Sequence, residues 1–187
     1  MKNNPKKNIV EKTLLKYLVE QKVCIGESVN ITDPSQYPFI LGRRSEIFTV
    51  LNPKKLIKNL RAFFYFLKNI TDSKGSLCFI MNFNEPLISN KLIKACSNGP
   101  HFCFNQNVKL NNLFSENKPK AIVALFLDSS RLNVLYTESS ILKVPVICFT
   151  TQANNFFSSN LQILGSFKTQ EAKNLLVSLI ILSLKKG

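Results

Sequence analysis

Apolar and polar positions change rhythm several times along the chain, and each change marks an element. Residues 7–22, KNIVEKTLLKYLVEQK, place Ile9, Leu14, Leu15, Leu18 and Val19 roughly on one face, which predicts an amphipathic helix with a solvated lysine face. CIGESVNITDPSQYP follows, rich in turn formers, and reads as an extended loop. The short apolar runs FIL and IFTVL flank Gly42-Arg43-Arg44-Ser45-Glu46, so they predict two strands of a hairpin or a bent arm. Asn52-Pro53 then starts a helix, with Asn as cap and Pro in the first turn. That helix runs through KKLIKNLRAFFYFLKNI and stops near Asp72-Ser73-Lys74-Gly75.

SLCFIMNF is continuously apolar, the pattern of a strand buried on both faces of a parallel sheet. EPLISNKLIKAC reads as a short helix ended by Asn98-Gly99-Pro100, and HFCF as a brief strand. NQNVKLNNLFSENKPK is polar and asparagine-rich, an irregular loop. The second half repeats the rhythm: AIVALFLD a strand, residues 131–142 a helix, VPVICFT a strand, a loop holding one more short strand, and a last helix over 168–185. Strands and helices alternate with short connections. The predicted class is α/β: a three-layer, doubly wound, mostly parallel sheet with helices on both faces, of the flavodoxin or Rossmann kind. No linker divides the 187 residues, so one domain is expected over 1–187, with an N-terminal helix (about 7–22) and an extended arm (about 23–51).

Composition changes this picture in one respect. Lys+Arg is 25 against Asp+Glu 11, a formal net charge of +14, which favours a polyanionic partner. The abundance of Lys, Asn and Phe is that of an AT-rich coding sequence, which supplies part of the lysine excess. The start, MKNNPKKN, leads into no apolar run, so no secretory signal is expected there. NLLVSLIILSL is the most apolar segment, but it is about half the ~20 residues that cross a bilayer, and it reads as a buried helix.

Candidate chemistry is sparse. No glycine-rich phosphate loop follows any strand, and the turn after SLCFIMNF is Asn84-Glu85-Pro86. Asp128, at the end of AIVALFLD, stands where such folds often carry a functional carboxylate, but a helix-capping acid is the better reading. His101 is the one histidine and has no partner for a metal site or a triad. Cys24, Cys78, Cys96, Cys103 and Cys148 are odd in number, lack any C-x-x-C spacing, and read as reduced core cysteines. No catalytic centre, metal or cofactor is expected from these residues.

The basic residues point further. Arg43 and Arg44 follow an apolar strand and are placed in a turn, where guanidinium groups grip phosphate. Lys54, Lys55, Lys58 and Arg61 lie on the next helix, and Lys54, Lys58 and Arg61 share a face at i, i+4, i+7. These six are the candidate RNA-binding residues, by backbone contact to a folded RNA rather than by base stacking in an RNP-type pattern.

The order of motifs resembles the small-subunit ribosomal protein S2 family, in a reduced organellar form. Cys24-Ile25-Gly26 stands at the family's HFG, Asp33-Pro34 at NP, Pro38-Phe39-Ile40-Leu41-Gly42 at PFIFG, and Arg44-Ser45 at RN. KGSLCFIMN resembles KGKILFVGT, and KPKAIVALFLD resembles the strand PDALFVID. ESSILKVPVICFTTQAN resembles EANNLGIPVFAIVDTN, and ILGSFKTQEAKNLLVSLI resembles IPGNDDAIRAVTLYL. The likeness runs from about residue 10 to the end. Departures are also clear: Glu27 replaces the histidine after HFG, the RWLGG motif has no counterpart, and Phe167-Lys168-Thr169 stands where the family has NDD. Only NVKLNNLFSENKP fills the place of the long helical hairpin of bacterial relatives, so that coiled-coil hairpin is expected to be absent.

The resemblance implies a three-layer α/β domain without enzymatic activity. It would bind small-subunit ribosomal RNA and touch neighbouring small-subunit ribosomal proteins, with no membrane association and no homo-oligomer. The sequence drift implies a mitochondrial ribosome in the matrix, with a plastid-type organelle as alternative. The competing function is an α/β enzyme acting on a nucleotide or sugar phosphate.

Overall fold

The computed structural model describes residues 5–28, 34–44, 47–110, 118–150 and 161–184. Helix α1 (Pro5–Glu20) opens the chain, followed by β1 (Ile25–Ser28), a 3-10 helix (Pro34–Phe39), β2 (Ile40–Arg44) and β3 (Phe48–Leu51). Helix α2 (Pro53–Asp72) leads into β4 (Leu77–Met81), α3 (Pro86–Ser97), β5 (Phe102–Asn105), β6 (Ala121–Leu125), α4 (Ser129–Leu142), β7 (Val146–Thr150), β8 (Leu161–Leu164) and α5 (Gln170–Leu184).

The large sheet has five parallel strands in the order β5-β4-β6-β7-β8. Alternate residues of its strands feed two cores, because successive side chains leave a strand on opposite faces. Leu77, Phe79, Met81, Val123, Leu125, Ile147, Phe149 and Ile163 pack with Leu60, Phe63 and Leu67 of α2, Ile88 and Leu92 of α3, and Leu176 and Ile180 of α5. Cys78, Ile80, Ile122, Ala124, Val146 and Cys148 pack instead against Leu132, Leu135, Tyr136 and Leu142 of α4. This is the expected three-layer, Rossmann-like arrangement. The chain order reverses between β4 and β6, which opens a crevice at their carboxyl ends, the usual ligand position in open α/β sheets.

The apolar tail, expected as a buried helix, is a helix with one face inside: Ala172, Leu176, Val177 and Ile180 are buried, while Leu182 is 55% exposed. No helix among the described residues is long and apolar enough to cross a membrane. In α1 the expected face is only partly right: Leu18 is buried and Leu14 and Leu15 are half-buried, but Val19 is 52% exposed. One residue is a 100° step on a helix, and the contact with the core is narrower than the apolar stripe.

The segment expected as an extended arm is a second sheet. β1, β3 and β2 form an antiparallel sheet in that order. β1 reads IGES, too short and too polar to announce a strand. Its pairing with β3 is set by a close approach, since a Cβ on Gly26 would come within 2.2 Å of Thr49 Oγ1. Thr49 and Leu51 are buried, and Leu51 packs on Leu164 of the large sheet. Residues 111–117, most of the segment proposed to replace the helical hairpin, lie outside the described residues.

Candidate nucleic-acid interface

The hairpin β2–β3 places the two arginines differently from the sequence reading. Arg43 and Arg44 are not in a turn. They are the last two residues of β2, with Arg43 opposite Thr49 and Arg44 opposite Phe48. Gly42 has no tight-turn role either, for its backbone is extended in the ladder opposite Val50 and a Cβ there would meet open space. The strand continues through the arginines because β2 is solvent-facing over Leu41–Arg44, and an exposed strand tolerates charge as readily as a turn does. Both arginines are exposed, and they leave the strand on opposite faces. Ser45 and Glu46, next in the chain, lie outside the described residues.

Helix α2 begins directly after β3. Asn52 caps it, accepting from the Lys54 N–H at 3.0 Å and the Lys55 N–H at 3.4 Å, with Pro53 in the first turn as expected. The Asn52 N–H donates to the Phe39 carbonyl at 2.7 Å, which ties the helix start to the hairpin. Leu56, Leu60, Phe63, Leu67 and Ile70 face the core. The solvent side carries Lys54, Lys58, Arg61, Tyr65 and Lys68, at i, i+4, i+7, i+11 and i+14, all exposed. They form one row of ~21 Å at 1.5 Å rise per residue.

Lys55 stands apart from this row. Its ammonium donates to the Pro38 carbonyl and lies over the Phe39 ring, 5.6 Å from the centroid. Although exposed, it serves as a tie between helix and hairpin. Of the six sequence candidates, the structure therefore brings Lys54, Lys58 and Arg61 into one row, sets Arg43 and Arg44 on the adjoining hairpin, and ties Lys55 to the residues that lead into that hairpin. Sequence reasoning stopped the row at Arg61. Tyr65 and Lys68 continue it at the same spacing, so the signal was present but hidden by the aromatic cluster FFYF.

The charges on α2 oppose its macrodipole. The first turn holds Lys54 and Lys55 and no acid, while Asp72 closes the last turn, which has no base. Each misplaced charge costs ~0.3–1 kcal/mol at low salt. A polyanion placed against the lysine end would offset that cost.

A second polar region lies at the carboxyl ends of β6 and β7. A cleft of about 370 Å³ is lined by Phe126, Asp128, Thr150, Phe167, Lys168 and Lys173 among others. Lys173 pairs with Glu85 in the turn before α3 and lies 5.7 Å from the centroid of the Phe126 ring. Asp128 occupies the N-cap position of α4 as expected, but its side chain makes no capping hydrogen bond.

His101 has a structural place. Its Nδ1 accepts the Leu77 N–H at 3.3 Å, and burial lowers its pKa. All five cysteines are free, with Cys103 the most exposed of them. Burial raises the thiols of Cys24, Cys78 and Cys148, the last to about 11. A hydrogen bond with Cys96 lowers Cys103 and raises Cys96. Among the described residues no group of three or more His, Cys, Asp or Glu side chains could hold a metal. No protein-family model and no curated protein matches the chain.

Proposed function

We propose that this protein is a structural constituent of a small ribosomal subunit, holding ribosomal RNA and neighbouring ribosomal proteins in the manner of the S2 family, with a mitochondrial ribosome as its setting. The observation that carries this reading is the exposed basic row of α2, with Arg43 and Arg44 also exposed on the hairpin that precedes the helix. The row is long enough to follow an RNA backbone and carries no acid between Lys54 and Lys68. The net charge of +14 and the order of sequence motifs favour the same partner. Three of the motif positions also have physical roles in the fold: Gly26 admits Thr49, and Phe39 and Ile40 pack against the cluster of Leu51 and Leu164.

The test is binding of the purified chain to small-subunit ribosomal RNA as salt is varied. Each phosphate contact contributes roughly −0.9 to the slope of log affinity against log salt on a duplex. Four to six contacts should therefore give a slope of roughly −4 to −5. Weak binding with little salt dependence would contradict the proposal.

The cleft at the carboxyl ends of β6 and β7 favours the second reading, an enzyme acting on a nucleotide or sugar phosphate, because Lys168 and Lys173 line it. Saturable binding of a nucleoside phosphate, lost in Lys168→Ala, would support that reading instead.

A further inference from the structure

Tyr65 is 69% exposed on an otherwise well-packed helix, although six other positions of α2 bury large apolar side chains. It follows Arg61 by four residues and precedes Lys68 by three, so all three stand on one stripe with neighbouring Cβ atoms ~5–6 Å apart. Ala62 and Asn69, also exposed, flank it on the adjoining stripe, and neither is bulky enough to cover an aromatic ring. The ring is thus presented to solvent between two cations.

We propose that Tyr65 is a stacking platform for an unpaired base, set between Arg61 and Lys68 in the basic row Lys54-Lys58-Arg61-Lys68. The inference rests on the RNA-binding reading above and adds to it the kind of RNA: a folded element with a loop or bulge, not a plain duplex. A-form duplexes keep their bases paired and out of a side chain's reach, whereas a splayed base offers a face for stacking. Arg61 and Lys68 then hold the phosphates on either side of the stacked nucleotide. Stacking is tolerant of base identity, so the site selects an unpaired nucleotide rather than a sequence.

The experiment is equilibrium binding of the full chain to two RNA probes of equal length, one a hairpin with an unpaired loop and the other a complete duplex. Tyr65→Ala should weaken binding to the looped probe by roughly 5- to 150-fold and leave the duplex unaffected, with the salt slope unchanged. Tyr65→Phe should bind like the original, because the ring remains. Lys68→Ala should flatten the salt slope on both probes. Equal binding of Tyr65→Ala and the original chain to the looped probe, with a steep salt slope intact, would overturn the stacking role alone. So would an equal loss on both probes. If the original chain binds neither probe, the RNA-binding reading falls and the stacking role with it. Thermal midpoints of all three variants should match the original, since none of the changed side chains is buried.

Discussion

Arg43 stands directly opposite Thr49 across the antiparallel pair of β2 and β3, and Thr49 is 3% exposed. The next pair, Arg44 and Phe48, lies on the other face of the same ribbon. The two arginines are neighbours in sequence but not in direction, so they cannot close on one phosphate as a clamp. In the proposed RNA complex each would need a phosphate of its own.

We predict that Arg43→Ala and Arg44→Ala act independently on RNA binding. Each should flatten the salt slope by roughly one unit, and the double variant by the sum. Unfolding free energy should stay within about 0.5 kcal/mol, as expected for exposed positions. Binding measured over a salt series, with thermal melts in parallel, checks both parts. A large stability loss with normal binding would assign the changed arginine to the fold.

The glycines of the small sheet should behave oppositely. Gly26→Ala pushes a methyl to within 2.2 Å of Thr49 Oγ1, and Thr49 is buried. Overpacking of this kind is expected to cost ~1–3 kcal/mol. Gly42→Ala meets open space and should be neutral or slightly stabilising, through loss of chain freedom in the unfolded state. Urea midpoints of the two variants distinguish them, and equal midpoints would contradict the packing described for Gly26.

His101 gives the fold a pH dependence with a definite sign. Burial lowers its pKa, and its Nδ1 accepts the Leu77 N–H, a bond lost on protonation there. The unfolded chain therefore takes up a proton first. Stability from this group is complete above the unfolded value of ~6.5 and declines as pH falls below it. We expect His101→Gln to lose this part of the decline between pH 7 and 5, read from denaturant midpoints. An unchanged pH profile would show that the histidine carries no linkage.

Thiol reactivity should single out Cys103. It is half-buried and its thiol is lowered by the Cys96 hydrogen bond, while burial raises Cys24, Cys78 and Cys148. Because the thiolate is the reactive form, alkylation near neutral pH should begin at Cys103, and Cys103→Ser should remove the fast phase. Fast labelling of Cys148 would contradict the packing around it.

The large sheet was legible because its central strands are continuous apolar runs separated by helices. Asn52-Pro53 announced α2, and the buried run LCFIM announced β4. The small sheet was legible only in part: a hairpin of FIL and IFTVL was one of the two readings, and β2 and β3 form it, but IGES pairs with residues twenty or more positions away, and its register depends on Gly26 fitting Thr49, which no local pattern encodes. Arg43 and Arg44 were recognised as exposed cations, but a charged end of a solvent-facing strand looks like a turn in sequence. Tyr65 and Lys68 were masked by their aromatic neighbours, and the reach of Lys55 to the Pro38 carbonyl is a tertiary contact.

Whether this chain enters a small ribosomal subunit through its basic face can be read from sedimentation of the native protein in gentle lysates of its source. A tagged chain should travel with small-subunit ribosomal RNA at moderate salt, and Arg43→Ala combined with Lys58→Ala and Arg61→Ala should shift it toward the free fraction while the folded domain persists. A tagged original chain that sediments free of small-subunit RNA would contradict the proposed ribosomal role.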